Sequence, residues 1–226
     1  DTAAISSQYQ RPMVDKITVE GDLGAAQSLL DLIKQQGYII EQTHDTLCGK
    51  IVIGDATLML TNGQFSTVRA AQLNCPNLIH FDLCLDYTKT PLIALAPANS
   101  ASADSVGQVI GLLQSIGKKV TIIDDIPGMV VMRTVCMLAN EGFDAVNQQV
   151  CDESAVDLAM KAGLNYPLGP LEWANIIGLS ETNNVLTNLA TTYGEDRYRV
   201  SPLLIKKVAH ARLITADHQL NKGSNS

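Results

Sequence analysis

The sequence lacks the features that would assign it to a membrane, secreted or nucleic-acid-binding protein. No apolar run reaches the ~18–20 residues of a membrane span, so no membrane partner is expected. The N-terminus has no basic region followed by an apolar one, so no signal peptide is expected. The 23 Asp and Glu outnumber the 16 Lys and Arg, which leaves a net charge of −7. Because binding to phosphates depends on clustered cations, no nucleic-acid partner is expected.

The cysteines and histidines show no metal-site or disulfide spacing. The five cysteines are Cys48, Cys75, Cys84, Cys136 and Cys151, and the four histidines are His44, His80, His210 and His218. An odd number of cysteines without a CxxC pair indicates neither a disulfide framework nor a zinc site. We therefore predict buried free thiols, no bound metal and a location in the reducing cytoplasm.

The size and composition are those of a globular protein. The chain has 226 residues, of which 46% are hydrophobic and 17% are charged. This length suits one large domain or two small ones. A start at Asp1 rather than at Met is typical of a fragment or a processed product.

The first half alternates between strand and helix patterns. Residues 1–14 are polar and predict a linker or a frayed arm. Strands are predicted at residues 16–20, 38–41, 50–53, 57–60, 77–83, 91–96 and 120–123, and helices at 25–36, 66–73 and 102–116. Such alternation predicts a parallel, doubly wound sheet. Residues 15–124 are thus expected to form a small α/β domain.

The second half carries helix patterns only. Helices are predicted at residues 129–146, 152–162, 171–177, 182–193 and 202–214. Asp152 or Ser154 is a suitable N-cap for the second of them. An all-α domain is therefore expected over residues 125–215, with a loose polar tail at 216–226.

The turn after the first predicted strand stands where a dinucleotide-binding fingerprint belongs. In the G-x-G-x-x-G pattern Gly21 fills the first position, Leu23 the second and Ala26 the third. Leucine places a branched side chain where the pyrophosphate rests. Gly21, Gly24 and Glu41 are the candidate contacts for NAD, with Glu41 toward a ribose hydroxyl. The alternative is a dinucleotide fold that no longer binds a nucleotide.

Three stretches of the second half are more specific. They are DIPGMVVMR at residues 125–133, DLAMKAGLNYPLGPLEWANIIGL at 157–179 and YGEDRYRVSPLL at 193–204. Together they resemble the C-terminal domain of the NAD-dependent 3-hydroxyacyl-CoA dehydrogenases. The resemblance is strong over residues 120–213 and weak over 15–120. It implies a Rossmann-like domain followed by the helical domain, with NAD as the cofactor of the parent enzyme and an acyl-CoA as its substrate.

The resemblance also implies a catalytic set. In the family a strand-end histidine takes the hydroxyl proton, a glutamate orients that histidine and an asparagine holds the substrate oxygen. These positions correspond to His80, to about Ala94 and to Met132. Neither alanine nor methionine can replace the lost carboxylate and amide. His80 is thus a candidate base without an orienting partner, and the alternative is a partly exposed strand-end histidine without a catalytic role.

These departures predict a degenerate second copy, the C-terminal part of a 3-hydroxyacyl-CoA dehydrogenase of fatty-acid β-oxidation or aromatic catabolism. The segment would be a non-catalytic packing and substrate-covering half that binds no cofactor itself. Its expected partner is the other copy of the helical domain, in the same chain or in a homodimer. Two alternatives stay open: a dimerisation module without ligand, and an autonomous enzyme that uses His80 with altered chemistry.

Other side chains of the second half have a structural and a functional interpretation. Met129, Met132, Cys136 and Met137 suit either an acyl tunnel or a helix interface, and the damaged site favours the interface. Arg133 and Lys161 could meet phosphates, although solvated charges are the commoner case.

Overall fold

The computed structural model describes residues 4–14, 16–43 and 49–223, with side chains described as far as residue 214. The chain divides into two compact units, Asp1–Met132 and Arg133–Ser226. None of the described helices is long and apolar enough to cross a membrane.

The first unit is built on one seven-stranded sheet. Its strands are β1 Ile17–Glu20, β2 Ile40–Thr43, β3 Lys50–Ile53, β4 Ala56–Leu60, β5 Leu78–Phe81, β6 Leu92–Pro97 and β7 Lys119–Ile122. They lie in the order β2-β1-β3-β4-β5-β6-β7. The predicted fold class, a Rossmann-like domain followed by a helical domain, is confirmed.

The sheet is mixed, and the prediction of a parallel sheet is wrong at three strand pairs. Parallel pairing joins β1 to β2, β4 to β5 and β6 to β7. Antiparallel pairing joins β1 to β3, β3 to β4 and β5 to β6. Only Gly54 and Asp55 separate β3 from β4. A parallel pair needs a crossover of about a dozen residues or more, so this turn forces a hairpin.

Three helices cover the two faces of the sheet: α1 Gln27–Gln35, α2 Ser66–Gln72 and α3 Ala103–Ser115. Apolar residues of α1 and α3, such as Leu30 and Val109, share the main core with Leu58 of β4. The next residue, Met59, instead packs with Ala70 of α2. Because successive side chains of a strand point to opposite faces, α2 lies on the face opposite to α1 and α3.

The N-terminal arm packs against α3 rather than fraying. The amide of Ile5 donates to the Val120 carbonyl at 2.7 Å. The amide of Tyr9 donates to Gln114 Oε1 at 2.8 Å, and Gln114 Nε2 donates to the Ser7 carbonyl at 3.0 Å. The backbone of the arm therefore bonds to the backbone of β7 and to the Gln114 side chain of α3, which the polar composition of residues 1–14 did not indicate.

A glycine of α3 makes this close approach possible. A Cβ atom added to Gly111 would lie 2.0 Å from the Gln10 carbonyl oxygen. A Cβ added to Gly107, one turn earlier, would lie 3.4 Å from the Tyr9 ring, an ordinary contact distance. The arm thus depends on the missing side chain at Gly111 and much less on that at Gly107.

The second unit is helical, as predicted. Its helices are α4 Val131–Asn147, which starts two residues before the unit, α5 Glu153–Leu164, α6 Pro170–Ile177, α7 Leu179–Tyr193 and α8 Pro202–Gly223. Asp152 caps α5 and accepts the Ala155 amide at 2.8 Å. The last helix continues to Gly223, whereas the sequence predicts an end near residue 214 and a loose tail. No glycine or proline interrupts residues 203–222, so the backbone can stay helical.

We predict that Gly111→Ala releases the arm, because the new methyl group and the Gln10 carbonyl cannot occupy the same space. Hydrogen exchange at the amides of Ile5 and Tyr9 should become faster than in the wild type. Gly107→Ala is the matched control and should leave both amides protected. Unchanged protection in Gly111→Ala would show that the arm can shift at no cost.

Candidate functional site

The turn after β1 keeps its glycines but buries the position that should face a nucleotide. Gly21 and Gly24 have φ of 72° and 54°, the left-handed region that glycine adopts readily. Leu23 lies between them and packs into the main core. Glu41 is exposed on β2 and forms an ion pair with Lys16.

The backbone before β3 lies directly on this turn. A Cβ added to Gly49 would be 2.1 Å from the Asp22 carbonyl oxygen and 2.8 Å from Leu23 Cα. A bound dinucleotide places its pyrophosphate against the same part of a Rossmann turn, in the crevice beside the first strand. Here β3 runs antiparallel beside β1, with Lys50 opposite Glu20. The described residues of this turn therefore do not fit a pyrophosphate.

His80 is enclosed beneath α2 rather than partly exposed. It lies on β5, opposite Met59 and Ala96, and is 1% exposed. Its Nε2 is 3.3 Å from Nη1 of Arg69, which also donates to the Leu60 carbonyl at 2.9 Å. Nδ1 has no hydrogen-bond partner among the described residues. Burial, and then the charge of Arg69, lower the pKa of His80 to about 3, so its ring is neutral at neutral pH.

Asp125 affects the charge state of His80 and also binds the start of α2. The charge of Asp125 raises the pKa of His80, but less than burial and Arg69 lower it. Its carboxylate accepts the amides of Ser66 at 2.6 Å and Thr67 at 2.9 Å. Asp125 therefore caps the start of α2. Because it lies about 60 residues after this helix in the sequence, the local pattern around the helix does not reveal it.

A second buried carboxylate, which the sequence did not single out, holds the first turn of α4. Asp82 directly follows β5 and is 3% exposed. Its Oδ2 accepts the amides of Val130 and Val131 at 3.0 and 2.8 Å. Its Oδ1 accepts those of Met132 and Leu83 at 3.0 and 2.8 Å. Burial raises the pKa of Asp82, and the four N–H donors oppose this rise.

The other two positions of the implied catalytic set lie on different elements. Met132 is fully buried in the first turn of α4, and its amide donates to Asp82. Ala94 is a half-buried residue of β6. It faces a cavity of about 370 Å³ lined by residues 82–85, 90, 92, 94, 130 and 131. His80 and Met132 are not among the lining residues, so the structure does not bring the set together around one opening.

The two cations considered for phosphate binding have partners within the second unit. Arg133 Nη2 donates to the Tyr198 hydroxyl at 2.5 Å, and its guanidinium lies 5.0 Å from the ring centre of Tyr193. Lys161 pairs with Glu172 at 2.6 Å. Within the described part of the chain, no group of three or more His, Cys, Asp or Glu could hold a metal ion.

Two family models match adjoining parts of the chain. The model described as the 3-hydroxybutyryl-CoA dehydrogenase reduced Rossmann-fold domain matches residues 58–127. The model described as the 3-hydroxyacyl-CoA dehydrogenase C-terminal domain matches residues 128–219. The resemblance noted in the sequence is thus confirmed in both halves.

Several curated relatives are similar over part of their length. A 3-hydroxyadipyl-CoA dehydrogenase from Escherichia coli is 36% identical over 156 residues, which are 69% of this chain and 32% of the relative. A probable 3-hydroxybutyryl-CoA dehydrogenase from Deinococcus radiodurans is 28% identical over 192 residues, 85% of this chain and 66% of the relative. The chain therefore spans between a third and two thirds of these relatives.

Solved structures agree with the fold. A crystal structure of 3-hydroxybutyryl-CoA dehydrogenase from Escherichia coli superposes with a TM-score of 0.67 and 34% identity, over 73% of this chain and 34% of that chain. The (S)-3-hydroxybutyryl-CoA dehydrogenase of Ralstonia eutropha gives a TM-score of 0.57 at 24% identity, over 82% of this chain and 62% of that chain. The second likeness shows the fold alone.

The buried histidine predicts a pH dependence of stability. Between the ordinary pKa of 6.5 and the folded value of about 3, the unfolded chain binds a proton at His80 that the folded chain does not. The free energy of unfolding is therefore unaffected by His80 above pH 6.5. Below pH 6.5 it falls by ~1.4 kcal/mol per pH unit, until the pH reaches the folded pKa of about 3. In urea unfolding across the interval, His80→Gln should lack this fall, whereas His210→Gln, at an exposed histidine, should keep it. Parallel curves for the wild type and His80→Gln would contradict the prediction.

The Asp82 cap predicts a large loss of stability on truncation. Asp82→Ala removes the carboxylate that accepts four backbone amides after β5 and at the start of α4, and it should lower the free energy of unfolding by about 2–4 kcal/mol. Asp152→Ala removes a cap of the same residue type at an exposed helix start and should cost clearly less. Equal losses in denaturant unfolding would show that the buried amides find other partners.

Proposed function

We propose, from the premise that this chain belongs to the 3-hydroxyacyl-CoA dehydrogenase family, that it is the non-catalytic packing and substrate-covering half of an NAD-dependent enzyme. The whole enzyme would oxidise a 3-hydroxyacyl-CoA to the 3-oxoacyl-CoA, in fatty-acid β-oxidation or aromatic catabolism. Hydride transfer to NAD and proton removal would rest on residues outside this chain.

The enclosed state of His80 is the observation that carries this proposal. A general base must reach the substrate proton and have a pKa near the working pH. His80 is 1% exposed and has a pKa of about 3. The guanidinium of Arg69 stands at the nitrogen Nε2 and disfavours a second positive charge beside it. A proton taken from a substrate hydroxyl would therefore be held poorly, even if the substrate reached the ring.

The Asp82 cap supports the same conclusion for the substrate oxygen. The amides at a helix start can stabilise a negative charge that develops in a reaction. In α4 the amides of Val130, Val131 and Met132 already donate to the carboxylate of Asp82. A fixed internal anion thus takes the donors that a substrate oxygen would need, and the Met132 thioether supplies no replacement N–H.

The turn after β1 supports the absence of NAD from this half. The Gly49 backbone lies against Asp22 and Leu23, where a pyrophosphate would have to rest. NAD would then be held by the part of the enzyme that lies outside this chain. The described cysteines are all free thiols, which supports our placement of the protein in the reducing cytoplasm.

A dimerisation module without ligand is the second candidate function. Large apolar side chains of the helical unit are exposed to solvent, among them Leu158, Leu164, Ile176, Ile205 and Leu213. A protein partner that covered these side chains would remove apolar surface from water. Another copy of the helical domain, in the same chain or in a homodimer, is the partner that we propose under either function.

The direct test is a titration of the purified chain with NADH and with acetoacetyl-CoA by calorimetry, followed by mixing of the two. We expect no saturable binding of NADH and no NADH consumption, because the base and the pyrophosphate site are both closed. Consumption of NADH that is lost in His80→Gln would overturn the proposal and identify an autonomous enzyme.

The substitution of family residues gives a second test. Leu23→Gly with Met132→Asn restores two positions of the family pattern, but the Gly49 backbone and the Asp82 cap remain in place. We expect no NADH binding, and a loss of stability of about 2–5 kcal/mol or more from the emptied core position at Leu23. Met132→Leu, which conserves volume, is the control for core packing. Saturable NADH binding by the double variant would contradict this prediction.

A further inference from the structure

We propose that the cavity between the ends of β5 and β6 and the first turn of α4 binds a neutral alkyl group of about eight carbon atoms. This inference rests on the proposed function, in which this half covers a substrate without reacting with it. It concerns the cavity itself and requires neither NAD nor CoA.

The walls of the cavity are apolar. Leu83, Leu92, Ala94, Val130 and Val131 contribute aliphatic surface to its lining. Of these side chains, Leu92, Val130 and Val131 are exposed, so the aliphatic lining reaches the surface of the protein. A ligand that buries alkyl surface would remove these side chains from water, which is favourable in proportion to the area covered.

The polar groups of the lining are already engaged within the protein. Both carboxylate oxygens of Asp82 accept backbone amides, two at each oxygen. The side chain of Thr90 hydrogen-bonds Cys84, whose pKa is raised to about 11 by burial, so the thiol stays protonated. None of the described residues that line the cavity is a cation. The cavity therefore offers nothing to balance a ligand carboxylate, and the Asp82 charge repels one.

The neighbouring cation is held away from the opening. Lys118 is buried and donates from Nζ to the carbonyls of Thr90 at 2.7 Å and of Thr88 at 3.4 Å. These bonds fix the loop that carries Thr90 and occupy the ammonium group. Lys118 thus holds the loop that forms part of the cavity wall, but it is not among the residues that line the cavity.

The volume sets the size of the ligand. A dry cavity of about 150 Å³ is enough to hold benzene. The present cavity of about 370 Å³ is more than twice as large, and it is open on one side, so only part of its volume encloses a ligand. At the benzene ratio of ~25 Å³ per carbon, an alkyl chain of about eight carbons occupies ~200 Å³ of the cavity and leaves its polar end at the opening.

The experiment is a titration of the whole chain with a series of primary alcohols from butanol to decanol, followed by the NMR signals of the residues that line the cavity. Each added methylene should tighten binding by about fourfold. The gain should stop near octanol, when the enclosed part is full. Octanoate should bind at least tenfold more weakly than octanol, because its carboxylate finds no partner.

Two variants and a control locate the binding. Ala94→Leu places a larger side chain in the cavity and should abolish the octanol response. Leu92→Lys puts a charge at the opening, tests the same cavity if Ala94→Leu fails to fold, and should weaken octanol at least tenfold. Val68→Lys is the matched control, since Val68 is 43% exposed and Leu92 is 39% exposed, but Val68 lies on α2 and does not line the cavity.

Each result decides the inference. Saturable octanol binding that Leu92→Lys weakens and Val68→Lys does not supports it. Equal binding of octanoate and octanol would overturn the class of ligand. If the alcohols cause no saturable shifts, or if the shifts are the same in Ala94→Leu and Leu92→Lys as in the wild type, the proposed binding site would be overturned. NADH consumption would instead overturn the proposed function. The alcohol titration contains no NADH, so the two failures can be told apart.

Discussion

The carboxylate of Asp82 is the constraint on which the rest of the site depends. The carboxylate is buried away from water, and the four amides that donate to it offset part of the cost of its burial. In doing so it fixes the first turn of α4 against the end of β5. The same bonds shape one wall of the cavity and consume the donors that could stabilise a charged substrate oxygen. One residue thus shapes the cavity wall and also occupies the amides at the start of α4.

The chain keeps the scaffold of the family but has other side chains at two positions of the implied catalytic set, Ala94 and Met132. The turn glycines Gly21 and Gly24, the Asp152 cap and the helix order of the second unit remain, and they suffice for the fold. The side chains that would handle a proton or a cofactor are enclosed or replaced, as at His80, Leu23 and Met132.

Local signals explain what the sequence could predict. Apolar periodicity and an N-cap at Asp152 define the helices of the second unit, because both act within a few residues. The alternating pattern gives the wrong strand direction at β3, because the two-residue turn at Gly54 and Asp55 permits only a hairpin. The Asp82 cap and the arm on Gly111 join residues about 50 and 100 positions apart. Single residues carry no signal for such pairs, so only the structure reveals them.

The hairpin of β3 and β4 bears on the order in which the sheet assembles. These strands lie near the middle of the sheet, and their contacts close a loop of only two residues. Loop closure costs more entropy as the intervening chain lengthens, so this pair can form before the crossovers to β2, β5 and β7. A parallel Rossmann sheet has no such local centre. The turn at Gly54 thus favours early pairing of β4 with β3, the strand that lies beside β1.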